Sequence, residues 1–378
     1  MKGKEKETKK EREAKLDIAR MKAGQAINQV NQKIDELGRN TKIIHDKITE
    51  LQIVFDAIRN IPSEKYLEYK KLQRIRLNWK QQAEKIELDY RNAEIRSTGA
   101  GAAGVGLGAA VVALGPTTAM GVATTFGVAS TGTAISALSG AAATNAALAW
   151  LGGGALAAGG GGMVAGQAFL ALVGPVGWAI AGISILTSGF FLLKGQNDKK
   201  RLENIFTLIS KRDIKSYELA IVEINERIYR IIDESEKLSN AIERIKLFGF
   251  NYDLMTEAQQ YELGAYVNLM NASTQLLINP IKGLLPKYCE HDFEIYLSSN
   301  VRLLEENEEK LIISLANLLY KIDMDTKDKK LIWKSLKKNK EFLKSVNMPE
   351  QNLKYSIMEV TFDALQYKYR LEEEIQNI

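Results

Sequence analysis

The chain has 378 residues, 26% of them charged, and a net charge of +5. That length admits one large domain or two small ones, and so small a charge attracts anionic surfaces only weakly by itself. The single cysteine, Cys289, excludes an intrachain disulfide framework.

Met1 to Lys15 carries seven basic and four acidic residues and almost nothing apolar. It reads as a solvated helix start rather than a secretory leader, which would need an apolar core segment. The expectation is a protein made in the cytoplasm without a cleavable signal and soluble before any insertion.

Residues 1–96 are expected to form N-terminal coiled-coil helices. Ile27, Val30, Ile34, Leu37, Thr41, Ile44, Ile48, Leu51, Phe55 and Ile58 keep strict 3-4 spacing, an a/d seam with Thr41 as its one polar member. Pro62 interrupts this seam, and Ser63 with Glu64 can restart a helix. It resumes at Tyr69, Leu72, Trp79, Ala83, Ile86, Tyr90 and Ala93, with Arg76 in one core slot.

Residues 97–193 are of another kind. From Ser97 to Leu193, 97 consecutive residues contain no Asp, Glu, Lys, Arg or His, and they hold 22 of the 29 glycines. Apolar runs beyond about 18 residues are membrane-span candidates. Phe169 to Leu193 is the strongest, with Phe169, Trp178, Phe190 and Phe191 as bulky anchors; Gly99 to Leu114 is weaker. Small residues recur every four positions, as at Gly104 and Gly108, Gly132 and Gly140, and Gly154, Gly162 and Gly166. At helical spacing these are glycine-zipper ridges that let backbones approach closely in lipid. The basic flanks Arg91, Arg96, Lys194, Lys199, Lys200 and Arg201 place both roots on one side of the membrane, giving two or four passes.

Residues 194–248 read as a long return helix. Ile214, Tyr217, Ile221, Ile224, Ile228, Ile231, Ser235, Leu238, Ile242 and Ile245 again follow 3-4 spacing. The first coil is its expected partner, running antiparallel. Residues 249–378 read as a C-terminal helical bundle, with helices over Thr256–Ile278, Lys287–Met324, Lys327–Val346 and Pro349 to the end. No segment shows sustained period-2 alternation, so essentially no sheet is expected.

Little points to an enzyme. The glycines have no GxxxxGK[ST], and a phosphate cradle needs its lysine. Cys289, Glu290, His291 and Asp292 lie together, but the other histidine, His45, is far away in sequence. They read as a loop or helix cap, with no metal and no cofactor. The lysine-rich segment Lys327–Val346 carries Ile332, Leu336, Leu343 and Val346 on one face, which either packs on the bundle or lies on a membrane surface. Nucleic acid is disfavoured, because aromatic positions interleaved with arginine are missing.

Two long seams flanking an apolar insert, followed by further helices, resemble the α-helical pore-forming toxins of the cytolysin A, haemolysin BL and non-haemolytic enterotoxin type. The likeness is in the order of parts, not in a motif. It implies a stalk made by the two seams and a hidden tongue over Gly99–Leu193 that inserts as subunits assemble. The insert is also similar to that of apolipoprotein L-like membrane inserters. The expected architecture is therefore all-α: an elongated antiparallel coiled-coil bundle with a long glycine/alanine-rich membrane-inserting insert. The expected partners are a lipid membrane, anionic lipid included, and further copies or other helical proteins. Alternatives are a membrane-anchored coiled-coil scaffold without pore activity, and a soluble helical protein whose apolar stretch is core.

Overall fold

The computed structural model describes residues 9–99, 116–126, 195–300, 304, 306–338, 343 and 349–376. Every regular element among them is helical: α1 (Lys9–Asp56), α2 (Ser63–Gly99), α3 (Pro116–Phe126), α4 (Gln196–Phe248), α5 (Glu257–Ile278), α6 (Glu290–Ser299), α7 (Glu306–Leu319), α8 (Thr326–Lys338) and α9 (Tyr355–Gln376). With 53 residues, α4 is about 80 Å long and forms the spine of the fold.

The seam residues face inward as their spacing requires. Ile34, Leu37, Ile44, Ile48 and Leu51 of α1 are buried, as are Ile224, Ile228, Ile231, Leu238 and Ile242 of α4. Ile221 is partly buried against the same core. Ile27 lies within α1, and its side chain is outside the described residues.

The chain turns back at the end of α1. Asn60 takes a left-handed φ of 64°, a region asparagine tolerates better than most residues. Pro62 has no N–H to continue the α1 ladder, and α2 starts at Ser63. The second half of the N-terminal seam therefore folds onto the first. Tyr69 Oη donates to the Gln52 carbonyl at 3.2 Å, and Trp79 lies 5.4 Å from His45, ring to ring.

This hairpin overturns the expected antiparallel pairing of the return helix with the first coil. α4 packs along α1 in the same direction, with Lys246 Nζ 4.0 Å from Glu50 Oε1 near the C-terminal ends of both. Beyond those ends, Arg59 N–H donates to the Phe250 carbonyl and Tyr252 N–H to the Arg59 carbonyl, both at 3.0 Å, in a parallel bridge. The reason is topological: α2 has already carried the chain back down, so α4 must rise alongside α1. The antiparallel partners are α2 to α1 and α5 to α4. Arg244 holds Glu262 by two 3.0 Å hydrogen bonds, and Arg227 Nη1 donates to the Leu276 and Asn279 carbonyls at 2.8 Å. Gly249, at φ +80°, ends α4, and a Thr256–Gln259 capping box starts α5.

Two hydrophobic cores share the spine. The first joins α1, α2, α3, α5 and most of α4. The second joins Leu202, Ile205 and Ile209 of α4 to α6–α9. The expected helix over Lys287–Met324 is two helices: α6 ends at Ser299, capped by Asn300, and α7 begins at Glu306. Phe293 and Tyr296 on α6 and Ile312 and Leu315 on α7 are buried in the same core, which separate helices can fill from different directions.

Candidate functional site

The apolar stretch is the candidate site, and its described part is α3. Pro116 opens this helix, where its missing N–H is no loss. Its 11 residues span about 16 Å, far short of a membrane. Thr118, Ala119, Val122, Ala123, Thr124 and Thr125 are all buried. A helix apolar all round belongs inside a protein or a membrane, and α3 is seated among α1, α2 and α5.

The seat is built on glycine. A Cβ on Gly38 of α1 would stand 1.8 Å from the Thr117 carbonyl oxygen, and one on Gly121 would stand 2.2 Å from the Ile34 carbonyl oxygen. Both obstacles are backbone, so neither yields as a flexible side chain would. Two hydrogen bonds fix the register: Thr118 Oγ1 donates to Asp35 Oδ1 at 2.7 Å, and Ile281 N–H donates to the Thr125 carbonyl at 2.6 Å. Sequence analysis missed Gly38. An isolated glycine inside an otherwise helical pattern is the available signal of close backbone approach.

The remaining insertion residues, Gly104, Gly108, Gly132, Gly140, Gly154, Gly162, Gly166, Phe169, Trp178, Phe190 and Phe191, lie outside the described residues, as does the flanking Lys194. The spans expected at 99–114 and 169–193 fall there too, apart from Gly99. Among the described residues no helix is long and apolar enough to cross a membrane. Arg91 and Arg96 lie in α2, with side chains outside the described residues. Lys199 and Lys200 occupy the first turn of α4, Lys200 exposed. Arg201 is engaged within the protein: it pairs with Asp325, and its Nε lies 2.7 Å from Asp328 Oδ1 at the start of α8. Lys327 Nζ meets Asp198 at 3.1 Å. The lysine-rich segment packs on the bundle through Leu331, Ile332, Ser335 and Leu336, all buried.

Several ionisable groups lie under the surface of the helical body. His45 sits between α1 and α2. Burial pushes its pKa below 6.5, Arg76 and Lys80 on α2 push the same way, and Asp46 opposes. Arg76 is 4% exposed, hydrogen-bonded to Gln52, and burial pulls its pKa down to about 10. In the second core, Arg212 donates through Nε to Asp213 at 2.8 Å and through Nη1 to the Tyr320 carbonyl at 2.6 Å, near the C-terminus of α7. Burial outweighs that pairing and raises Asp213 to about 6.

Cys289 caps α6, its N–H donating to Asp292 Oδ2 at 2.8 Å, and burial raises its thiol pKa. Among the described residues no group of His, Cys, Asp and Glu is arranged to hold a metal. An apolar dimple bordered by Phe55, Tyr69, Tyr252 and Leu263 leaves about 20 Å³, room for a single water.

The fold thus defines an all-α protein in which part of a charge-free stretch is docked on a helical body. Comparison with protein-family models, with curated proteins and with solved structures found no match.

Proposed function

We propose that this is a non-enzymatic protein that inserts its apolar stretch into a membrane and perforates or depolarises it, acting as an oligomer. The observation that carries this reading is the 97-residue charge-free stretch, set between amphipathic helices and rich in glycine. Glycine costs a helix about 1 kcal/mol per residue relative to alanine, so such a sequence gains most where close packing or lipid offsets that cost. The docking of α3 through backbone-to-backbone contact supports a resting state that holds at least these residues against the body. It equally favours, for α3 itself, the reading in which part of the stretch is protein core.

Dye release from liposomes containing anionic lipid tests the proposal. The full chain should release dye, and a chain lacking 99–193 should not. Absence of release by the full chain, or equal release by the deletion, sinks the proposal. A protein that stays with washed membranes yet releases no dye would instead support the anchored scaffold.

A further inference from the structure

The docked helix α3 divides the charge-free stretch in two. Residues 100–115 join the end of α2 to the start of α3, and residues 127–194 lead on to Gly195 and α4. With α3 seated on the body, each part has both its ends on one side of a membrane and can cross only an even number of times. The first part has 16 residues. An isolated segment in lipid must be helical to satisfy its backbone. As a helix this part spans about 24 Å, short of one crossing of about 30 Å and far short of two. The second part holds 67 charge-free residues, 127–193. Two passes need about 40 residues and four about 80, so this part has room for two.

The body is shaped to keep α3. Gly38 lies in α1, and the Thr117 carbonyl takes the space that a Cβ there would fill. A glycine inside a helix weakens it, so α1 carries a cost that only a docked α3 offsets. Ala119, Val122 and Ala123 belong to the first core together with residues of α1, α2, α4 and α5. Ile281, just after α5, is buried, and its N–H donates to the Thr125 carbonyl. Undocking leaves that donor without its acceptor, and it takes the Thr118 hydroxyl from Asp35, a charged partner that lipid does not offer. In exchange α3 gains little from a membrane. Four of its 11 residues are threonine, and its length is about half a crossing.

We infer that α3 is a fixed core helix that stays docked while the stretch inserts, so that only 127–193 enters the membrane and does so as a two-pass hairpin. This rests on the insertion proposed above and decides between its two and four passes.

A reversible clamp tests this in the full-length chain. In a Cys289→Ser background, where serine still caps α6, Asp35→Cys/Thr118→Cys replaces two side chains whose oxygens lie 2.7 Å apart, near enough for a disulfide. The probe is dye-loaded liposomes of phosphatidylcholine and phosphatidylglycerol. The oxidised chain should release dye at a rate within about twofold of the same chain after reduction. The pair should oxidise as completely on liposome-bound protein as on free protein. The Ile281 amide, followed by hydrogen exchange, should keep its protection on binding. Release that falls at least about tenfold on oxidation and returns on reduction overturns the inference and leaves insertion standing. So does a pair that oxidises only off the membrane, or an Ile281 amide that loses its protection on binding. A wild type that neither binds nor permeabilises these liposomes defeats the insertion reading itself, and this inference with it.

Discussion

Gly38→Ala tests the seat of α3 most directly. A methyl group there would stand 1.8 Å from the Thr117 carbonyl oxygen and 2.7 Å from the carbonyl carbon, where ordinary contact begins at 3.4 Å. Both atoms belong to helix backbone, so α1 and α3 must separate by about 1.5 Å, in the regime where overpacking costs roughly 1–3 kcal/mol. Separation also loosens the Thr118–Asp35 hydrogen bond, a contact to a charged group worth roughly 1.5–3 kcal/mol at most and less here, because Asp35 is half exposed. Alanine returns about 1 kcal/mol through its better helix propensity. The net loss of α3 docking is about 1–4 kcal/mol. Amide exchange over 118–126 should then accelerate by roughly 5- to 700-fold, at about 1.4 kcal/mol per decade. Gly264→Ala in α5 is the control, since its methyl meets nothing within 4 Å. It should be neutral or stabilising by up to about 1 kcal/mol. If Gly38→Ala leaves α3 protection where Gly264→Ala leaves it, the close-contact argument is wrong.

Two further substitutions probe the α1–α2 hairpin. His45 is held neutral by burial, its folded pKa lying below the unfolded value of 6.5. Its contribution to stability is therefore present above pH 6.5 and is lost as pH falls below it, because the unfolded chain takes up the proton more readily. Urea midpoints should drop between pH 7.5 and 5.5 more steeply in the wild type than in His45→Gln; equal slopes would rule this role out. Arg76 is a buried cation whose Nε has no hydrogen-bond partner. Arg76→Met should leave stability unchanged or raise it by about 1–4 kcal/mol, whereas Arg76→Ala should lower it by leaving a cavity. Chemical denaturation ranks the three proteins, and a Met variant no better than the Ala variant would show that the guanidinium contributes more than its packing.

Much of the helical content was legible because its signals are local. The 3-4 spacing from Val30 to Ile58 and from Ile224 to Ile245 identifies buried faces, and those residues are buried. Pro62 and Ser63 mark a boundary, and the helix expected from Thr256 to Ile278 is α5, capped by Thr256. Arg76 and Thr41, polar residues in seam slots, are in the core as their positions require. The direction of packing was not legible. A proline between two seams is compatible with a kinked rod or with a hairpin, and only contacts between the two halves, Tyr69 with Gln52 and Trp79 with His45, decide for the hairpin. Arg201 was equally ambiguous, since a basic residue beside an apolar run serves a lipid headgroup as well as an aspartate. Asp325 and Asp328 are more than a hundred residues away in sequence.

By itself, the sequence determined that this protein is built of long amphipathic helices interrupted by one charge-free stretch. Periodicity and charge are properties of a segment and need no neighbour to be read. The tertiary structure alone decided that α4 runs with α1 and that one spine serves two cores. It also decided that Gly38 and Gly121, 83 positions apart, form one contact. That last pairing depends on two backbones meeting with no side chain between them, and an isolated Gly38 can mark a close approach in the sequence but cannot name the partner it approaches.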